Sequence, residues 1–274
     1  MQKLITNYKI LLRIMLTLPS RFLFGNCISF YKNLIPLLQF YFFKKIFLPK
    51  TDLEKKGIKY IKYNLTRNII LDTKKHFDIL IENPKNIISK SGKQKLIVNP
   101  IQLKNLKKIT ALYDKELLDY FEGNYKYISI KAWRNYPHES SNSDWQKYIY
   151  SNYWHFDDYR TDILKIFIIL NDNTNKYTGS TKALNITTSK KISRTFRYID
   201  ASISNQKLEQ YLENKNLINY CDGNLGDIYI INTSRCIHSA TIPKKNSVRD
   251  LIQLEVTKSS TNNDPFEQMS NLGN

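Results

Sequence analysis

His155 and Asp157 stand two positions apart in "SNYWHFDDYR", residues 151–160, just before the apolar run "ILKIFIILN". On an extended strand such a pair points to one face, so the imidazole and the carboxylate can reach the same ion. Two protein groups rarely hold a redox metal, and a third ligand has to come from elsewhere. The chain has four histidines, which leaves His76, His138 and His238. His76 lies in "KKHFDI" and forms a second His-x-Asp with Asp78, while His138 lies in the polar stretch "YPHESS". His238 lies in "CIHSATI", an apolar, strand-like segment late in the chain. A second strand of a barrel would deliver a ligand to its mouth from such a place. His155, Asp157 and His238 together would form the two-histidine, one-carboxylate set that keeps coordination positions open and suits non-haem Fe(II).

A lone His-x-Asp matches many unrelated chains by chance, and a lone strand histidine is more often a hydrogen-bonded core residue. A further residue strengthens the case. Arg249 follows His238 by eleven positions and begins "RDLIQLEV", another strand-like piece. Its planar fork can receive a carboxylate at the inner end of a site, although a surface cation at a strand start would look the same.

The elements that would position these groups are mostly β. From residue 125 onward the strand-like pieces are "YISIKAW", "YWHFD", "ILKIFIILN", "STKALNIT", "DIYIINT", "CIHSATI" and "DLIQLEV", with one helix, "SNQKLEQYLEN", inserted. Such runs, punctuated by Gly and Asn, predict an antiparallel sandwich or barrel. Upstream, Leu103, Leu106, Ile109 and Leu112 recur at helical spacing, and Asp114 is placed to cap a helix that Gly123 ends. Residues 51–98 alternate polar and apolar pieces and predict mixed structure. Trp133, Trp145 and Trp154 are candidates for a cavity wall, with core packing the commoner fate.

Composition narrows the classes. Lys+Arg is 42 against Asp+Glu 24, a net charge of +18. The basic residues are dispersed, with no arginine-rich stripe and no nucleic-acid motif, so nucleic-acid binding is not expected. Abundant Lys, Asn and Ile also fit drift in an AT-rich genome. Residues 1–50 contain no acid, and their longest uncharged run, Asn33 to Phe43, is 11 residues. A spanning helix needs about 20 apolar residues. This arm is expected to pack as N-terminal helices, with peripheral contact to an anionic membrane as the other reading. Cys27, Cys221 and Cys236 form no disulfide or zinc pattern and fit a reducing, cytoplasmic compartment. The expected organisation is an arm over 1–50, a domain over 51–258 and a flexible tail over 259–274.

"YWHFDDYRTDILKIFIILND" followed by "GNLGDIYIINTSRCIHSATIPKKNSVRDLIQLEV" resembles the phytanoyl-CoA dioxygenase-like branch of the Fe(II)/2-oxoglutarate oxygenases. In that branch a Trp-His-x-Asp strand precedes an apolar strand, a Gly-Asp turn leads to the distal His, and an Arg follows one strand later. "DKELLDYFEGNYKYISIKAW" resembles the helix and strand that precede the motif, so the likeness covers roughly residues 110–257. It implies a double-stranded β-helix with flanking helices, in which His155, Asp157 and His238 ligate iron. Arg249 would pair with the distal carboxylate of 2-oxoglutarate. The implied reaction consumes O₂ and 2-oxoglutarate, releases succinate and CO₂, and hydroxylates an unactivated C–H of a small molecule. The presence of Asp157 favours hydroxylation over halogenation.

Three departures qualify the likeness. Relatives often carry Gly-Pro and then Pro-Gly-Ser-His after the apolar strand, where this chain has Gly179-Ser180 and "NITTSKK". They tend to place a hydroxyl residue two positions after the distal His, where this chain has Ala240. Lys165 is expected to face outward. The missing Pro-Gly-Ser-His and the basic arm motivate an alternative: a non-catalytic protein of the same fold that binds a ligand or a membrane surface.

Overall fold

The structure, a computed structural model, describes residues 51–63, 67–90, 93–137, 151–157, 163–195 and 205–261. The basic arm, His138, Trp145 and the tail beyond residue 261 lie outside them, and so do the expectations attached to those segments. The described residues all belong to the unit Pro49–Asn274, one of two into which the chain divides.

Among the described residues, two antiparallel sheets form the architecture. The larger has seven strands in the order β1-β8-β5-β10-β4-β3-β2, and the smaller has three in the order β7-β6-β9. In chain order the large-sheet strands are β1 (Ile58–Ile61), β2 (Ile87–Lys90), β3 (Gln94–Ile97), β4 (Tyr125–Asn135), β5 (Leu164–Ile169), β8 (Ile228–Ile231) and β10 (Arg249–Lys258). The small sheet contains β6 (Thr181–Ala183), β7 (Asn219–Tyr220) and β9 (His238–Ala240). Among the described residues the α-helices are α1 (Asp52–Lys56), α2 (Arg67–Glu82), α3 (Leu106–Thr110), α4 (Asp114–Phe121), α5 (Ile186–Thr195) and α6 (Asn205–Asn214).

Period-two alternation decides which face of each central strand meets which layer. Leu164, Ile166 and Ile168 of β5 turn outward, as do Ile252, Leu254 and Val256 of β10. They pack with Phe77 of α2, Ile109 of α3 and Leu117 of α4 in the main core. The other face, with Phe167 and Leu251, joins Ala183, Ile231 and Cys236 in a second core between the sheets. Helices therefore brace the outer face, and the inner face is left to line the site. This is the double-stranded β-helix that the sequence predicts.

Several local expectations are corrected. "NITTSKKISRT" continues as α5 once three strand residues of β6 have paired with β9 and β7. Asp114 is the first residue of α4 and does not cap it, and its carboxylate accepts the Tyr125 hydroxyl at 2.6 Å. Glu122, with φ 55°, makes the left-handed turn that ends that helix, and Gly123 N–H then reaches Leu118 O at 3.0 Å. Residues 67–82, read as mixed, form the 16-residue helix α2 with Ile70, Phe77, Leu80 and Ile81 buried along one stripe. His76 and Asp78 are thus on a helix, where positions two apart do not share a face. His76 Nδ1 accepts the Lys104 N–H at 3.1 Å, and Asp78 pairs with Lys74 and Arg134.

An ion network docks α2 on the sheet. Arg134 of β4 donates through Nε and Nη2 to Asp250 of β10 at 2.7 and 2.8 Å, and through Nη2 to Asp78 at 2.6 Å. Lys74 Nζ lies 3.2 Å from the same Asp250 carboxylate, whose side chain is 1% exposed. Removing one partner of such a buried pair leaves the other charge uncompensated. Asp250→Ala is therefore expected to destabilise the fold by about 3 kcal/mol or more, read as a urea-unfolding midpoint.

Candidate metal centre

His155 and His238 belong to different segments, yet their backbones form an isolated antiparallel bridge. Each donates its N–H to the other's carbonyl at 2.9 Å, which brings the ring centroids to 4.3 Å. His155 is therefore held by one bridge to β9, not by the strand the sequence predicts. Asp157 follows in extended backbone, with its N–H on Thr233 O at 3.1 Å. His155, Asp157 and His238 each offer a ligand atom, and those atoms lie within 4.8 Å of one another. Among the described residues this is the single set of three such groups so placed.

The orientation of both imidazoles is fixed from behind. His155 Nδ1 meets Tyr153 O at 2.8 Å, and His238 Nδ1 meets Cys236 O at 3.1 Å. A carbonyl accepts only a proton, so each ring is protonated at Nδ1 and presents the Nε2 lone pair forward, as a ligating histidine requires. The Nε2 atoms lie 3.8 and 3.5 Å from the two Asp157 oxygens. Both rings are buried, at 6% and 5% exposure. Asp157 Oδ2 is also buried and makes no well-angled hydrogen bond, although Lys165 Nζ lies 2.6 Å from it. Two free imidazole lone pairs and an under-satisfied carboxylate facing one point are a donor set that fits a divalent transition metal.

Burial lowers the His155 pKa and, against the attraction of Asp157, carries that of His238 from 6.5 to about 3. Both rings are then free bases at neutral pH. Burial raises the Asp157 pKa, but the neighbouring His238 and Lys165 outweigh it and hold the group well below the usual range. A folded-state pKa below the unfolded one means that the unfolded chain binds protons first as pH falls. For His238 the stability present above pH 6.5 is lost progressively down to about 3. The metal-free protein should accordingly unfold at lower urea concentration at pH 4 than at pH 7, and His238→Gln should flatten that dependence.

Arg249 is buried, 4% exposed, at the start of β10. Its Nη2 donates to Thr181 Oγ1 at 2.5 Å, and no carboxylate among the described residues pairs with it. Burial lowers its pKa to about 10, so it is still charged at neutral pH. Gly179 makes the approach possible: at φ 103° it takes a conformation natural to glycine, and a Cβ there would sit 2.9 Å from Arg249 Cβ. Arg249 opens on a cleft lined also by Phe167, Ile169, Thr181, Cys221 and Tyr229. On the small sheet Ala183 pairs with His238, and Thr181 pairs with Ala240. Thr181 and His238 thus lie on one face two residues apart, about 7 Å along the strand. Its bond to Thr181 ties the Arg249 guanidinium to a point that far along the strand from His238.

Two sequence readings change in detail. The hydroxyl absent at Ala240 stands directly across from it, on Thr181. Lys165 faces inward, opposite to expectation, because Leu164 and Ile166 take the outer core positions. Trp154 is fully buried in a third cluster and donates Nε1 to Glu209 at 2.5 Å, while Trp133 packs between the sheets. Cys221 and Cys236 are buried free thiols whose pKa values burial raises, as filler rather than nucleophiles. Among the described residues no helix is long and apolar enough to cross a membrane.

No family model matches the chain, and no curated protein matches its sequence. Solved structures do share its fold. The epimerase SnoN in complex with Fe3+, alpha ketoglutarate and nogalamycin RO has a TM-score of 0.53 at 11% identity, covering 76% of this chain and 81% of its own. EctD from S. alaskensis with 2-oxoglutarate and 5-hydroxyectoine has 0.51 at 12% identity, covering 78% and 77%. The carbocyclase SnoK from nogalamycin biosynthesis has 0.50 at 13% identity, covering 80% and 87%. Fold and site together define a double-stranded β-helix protein whose mouth carries a His–Asp–His group able to hold a metal ion.

Proposed function

We propose that this protein is an Fe(II)/2-oxoglutarate-dependent oxygenase, of the phytanoyl-CoA dioxygenase-like type, that hydroxylates a C–H bond of a small molecule. The observation that carries the reading is the charged, buried guanidinium of Arg249, which no acid among the described residues pairs. A buried unpaired charge costs several kcal/mol, and an anionic ligand in the adjoining cleft offsets that cost. The spacing from His238 suits a short dicarboxylate bound at both ends. The crystallised relatives SnoN and EctD hold 2-oxoglutarate, by either of its names, in the same fold.

His155, Asp157 and His238 would hold iron, Arg249 and Thr181 the distal carboxylate of 2-oxoglutarate. Bound iron and cosubstrate supply the oxidising chemistry with O₂. The chain contributes position and dryness: the bridged histidines fix the ligand atoms, and the flanking core of Phe167, Leu251 and Ile231 keeps bulk water from the site.

Anaerobic titration with Fe(II) and 2-oxoglutarate tests both bindings at once. A visible charge-transfer band, followed by CO₂ release from labelled 2-oxoglutarate on admitting O₂, is expected; no band and no CO₂ would overturn the reading. Thr181→Val should weaken 2-oxoglutarate about tenfold to a hundredfold, the worth of one hydrogen bond to a charged partner. Adding Ala240→Ser, which returns a hydroxyl to the facing position, should recover part of that loss.

A further inference from the structure

The inner face of the large sheet is apolar around Phe167, Leu251 and Trp133, and then abruptly charged toward the metal centre. Lys165 of β5 lies across from Glu255 of β10, and Gln253 of β10 lies across from Lys131 of β4. Their charges alternate along one line. Asp157 Oδ2 meets Lys165 Nζ at 2.6 Å, Lys165 Nζ lies 3.7 Å from Glu255 Oε1, and Glu255 Oε1 lies 3.8 Å from Lys131 Nζ. Gln253 Nε2 donates to the same Glu255 oxygen at 2.9 Å. Lys165 and Glu255 are 15% and 18% exposed, whereas Lys131 is 49% exposed, so the line runs from solvent to the metal ligands.

A cross-strand ladder of ion pairs is the alternative explanation, and the distances argue against it. The Glu255 pairs are long, and half-buried charges cost more than such loose pairs return. Lys165 has a further difficulty. Its one close partner is a carboxylate that a metal ion would share, and an ammonium beside a dication is repelled. A ligand anion settled against Lys165, and a ligand cation against Glu255, would satisfy both groups. β5 and β4 flank β10, about 10 Å apart, the span of a small molecule.

We infer that the substrate is a small zwitterion of the amino-acid class, its carboxylate held by Lys165 and its ammonium by Glu255 beside the metal centre. This rests on the oxygenase reading above. The test uses the wild-type protein loaded anaerobically with Fe(II) and 2-oxoglutarate, so that the charge-transfer band reports loading before any substrate is added. An equimolar mixture of standard amino acids should shift the band and speed CO₂ release after O₂ is admitted; glucose and octanoyl-CoA should do neither. In Lys165→Met and in Glu255→Gln the band should still form, with the response to amino acids about thirtyfold weaker in apparent affinity. Lys165→Met should also bind Mn(II) more tightly, measured by paramagnetic resonance, because the competing ammonium is gone. A loaded protein that answers glucose or octanoyl-CoA instead of amino acids overturns the assignment and leaves the oxygenase reading intact. So do variants that respond as the wild type does. Failure of the band in the wild type removes the oxygenase reading, and this assignment with it.

Discussion

Arg249→Met should weaken 2-oxoglutarate binding by about a hundredfold to a thousandfold and, in the same protein, raise the stability of the ligand-free fold. The two effects have one cause. Truncating one side of a buried charge pair costs about 2–5 kcal/mol in binding. In the absence of ligand the guanidinium is a buried charge with Thr181 Oγ1 as its side-chain partner, and no acid among the described residues answers it. Replacing unsatisfied buried ionic groups by apolar ones of similar length stabilises by about 1–4 kcal/mol. Methionine keeps much of the packing against Gly179. Calorimetric binding of 2-oxoglutarate to the Mn(II)-loaded variant and urea unfolding of the metal-free one measure the two halves. A variant that is less stable and binds 2-oxoglutarate normally would show Arg249 to be a structural cation.

The second large effect concerns the metal itself. His238→Ala should weaken Fe(II) or Mn(II) binding by more than a hundredfold and reduce CO₂ release to background. Loss of an outer-shell partner alone costs about tenfold to a hundredfold, and this substitution would remove a proposed ligand. The loss should be specific, because His238 and His155 hold each other through backbone bonds that an alanine keeps. His76→Ala is the control: its Asp78 neighbour is engaged with Lys74 and Arg134, and its Nδ1 caps the Lys104 N–H, so metal binding should be unchanged. Equal losses in the two variants would mean that the metal sits elsewhere.

These residues also show how far the chain could be read before it was seen folded. The apolar runs "ILKIFIILN", "DIYIINT" and "DLIQLEV" became the strands β5, β8 and β10, because β-branched and aromatic side chains in short runs have few other places to be buried. The helix over residues 67–82 was missed, because its apolar positions are spread among lysines and asparagine, and its stripe shows only once a core is there to receive it. Residue types and their order were enough to nominate His155, Asp157, His238 and Arg249. They are properties of the chemistry, and they do not need coordinates.

Pairing between distant segments needed them. Local sequence cannot show that Thr181 faces Ala240 across a strand pair and so restores a hydroxyl. Nor can it show that Lys165 turns inward, since a one-residue change in strand phase would reverse it. The amino-acid order alone thus determined the central strands and the two-sheet fold, and nominated the candidate ligands. Packing decided the phase of β5, the bridge that joins His155 to His238, and the charged line leading to them. Register and burial are set by long-range contacts, and those exist only when the whole chain has collapsed around its cores.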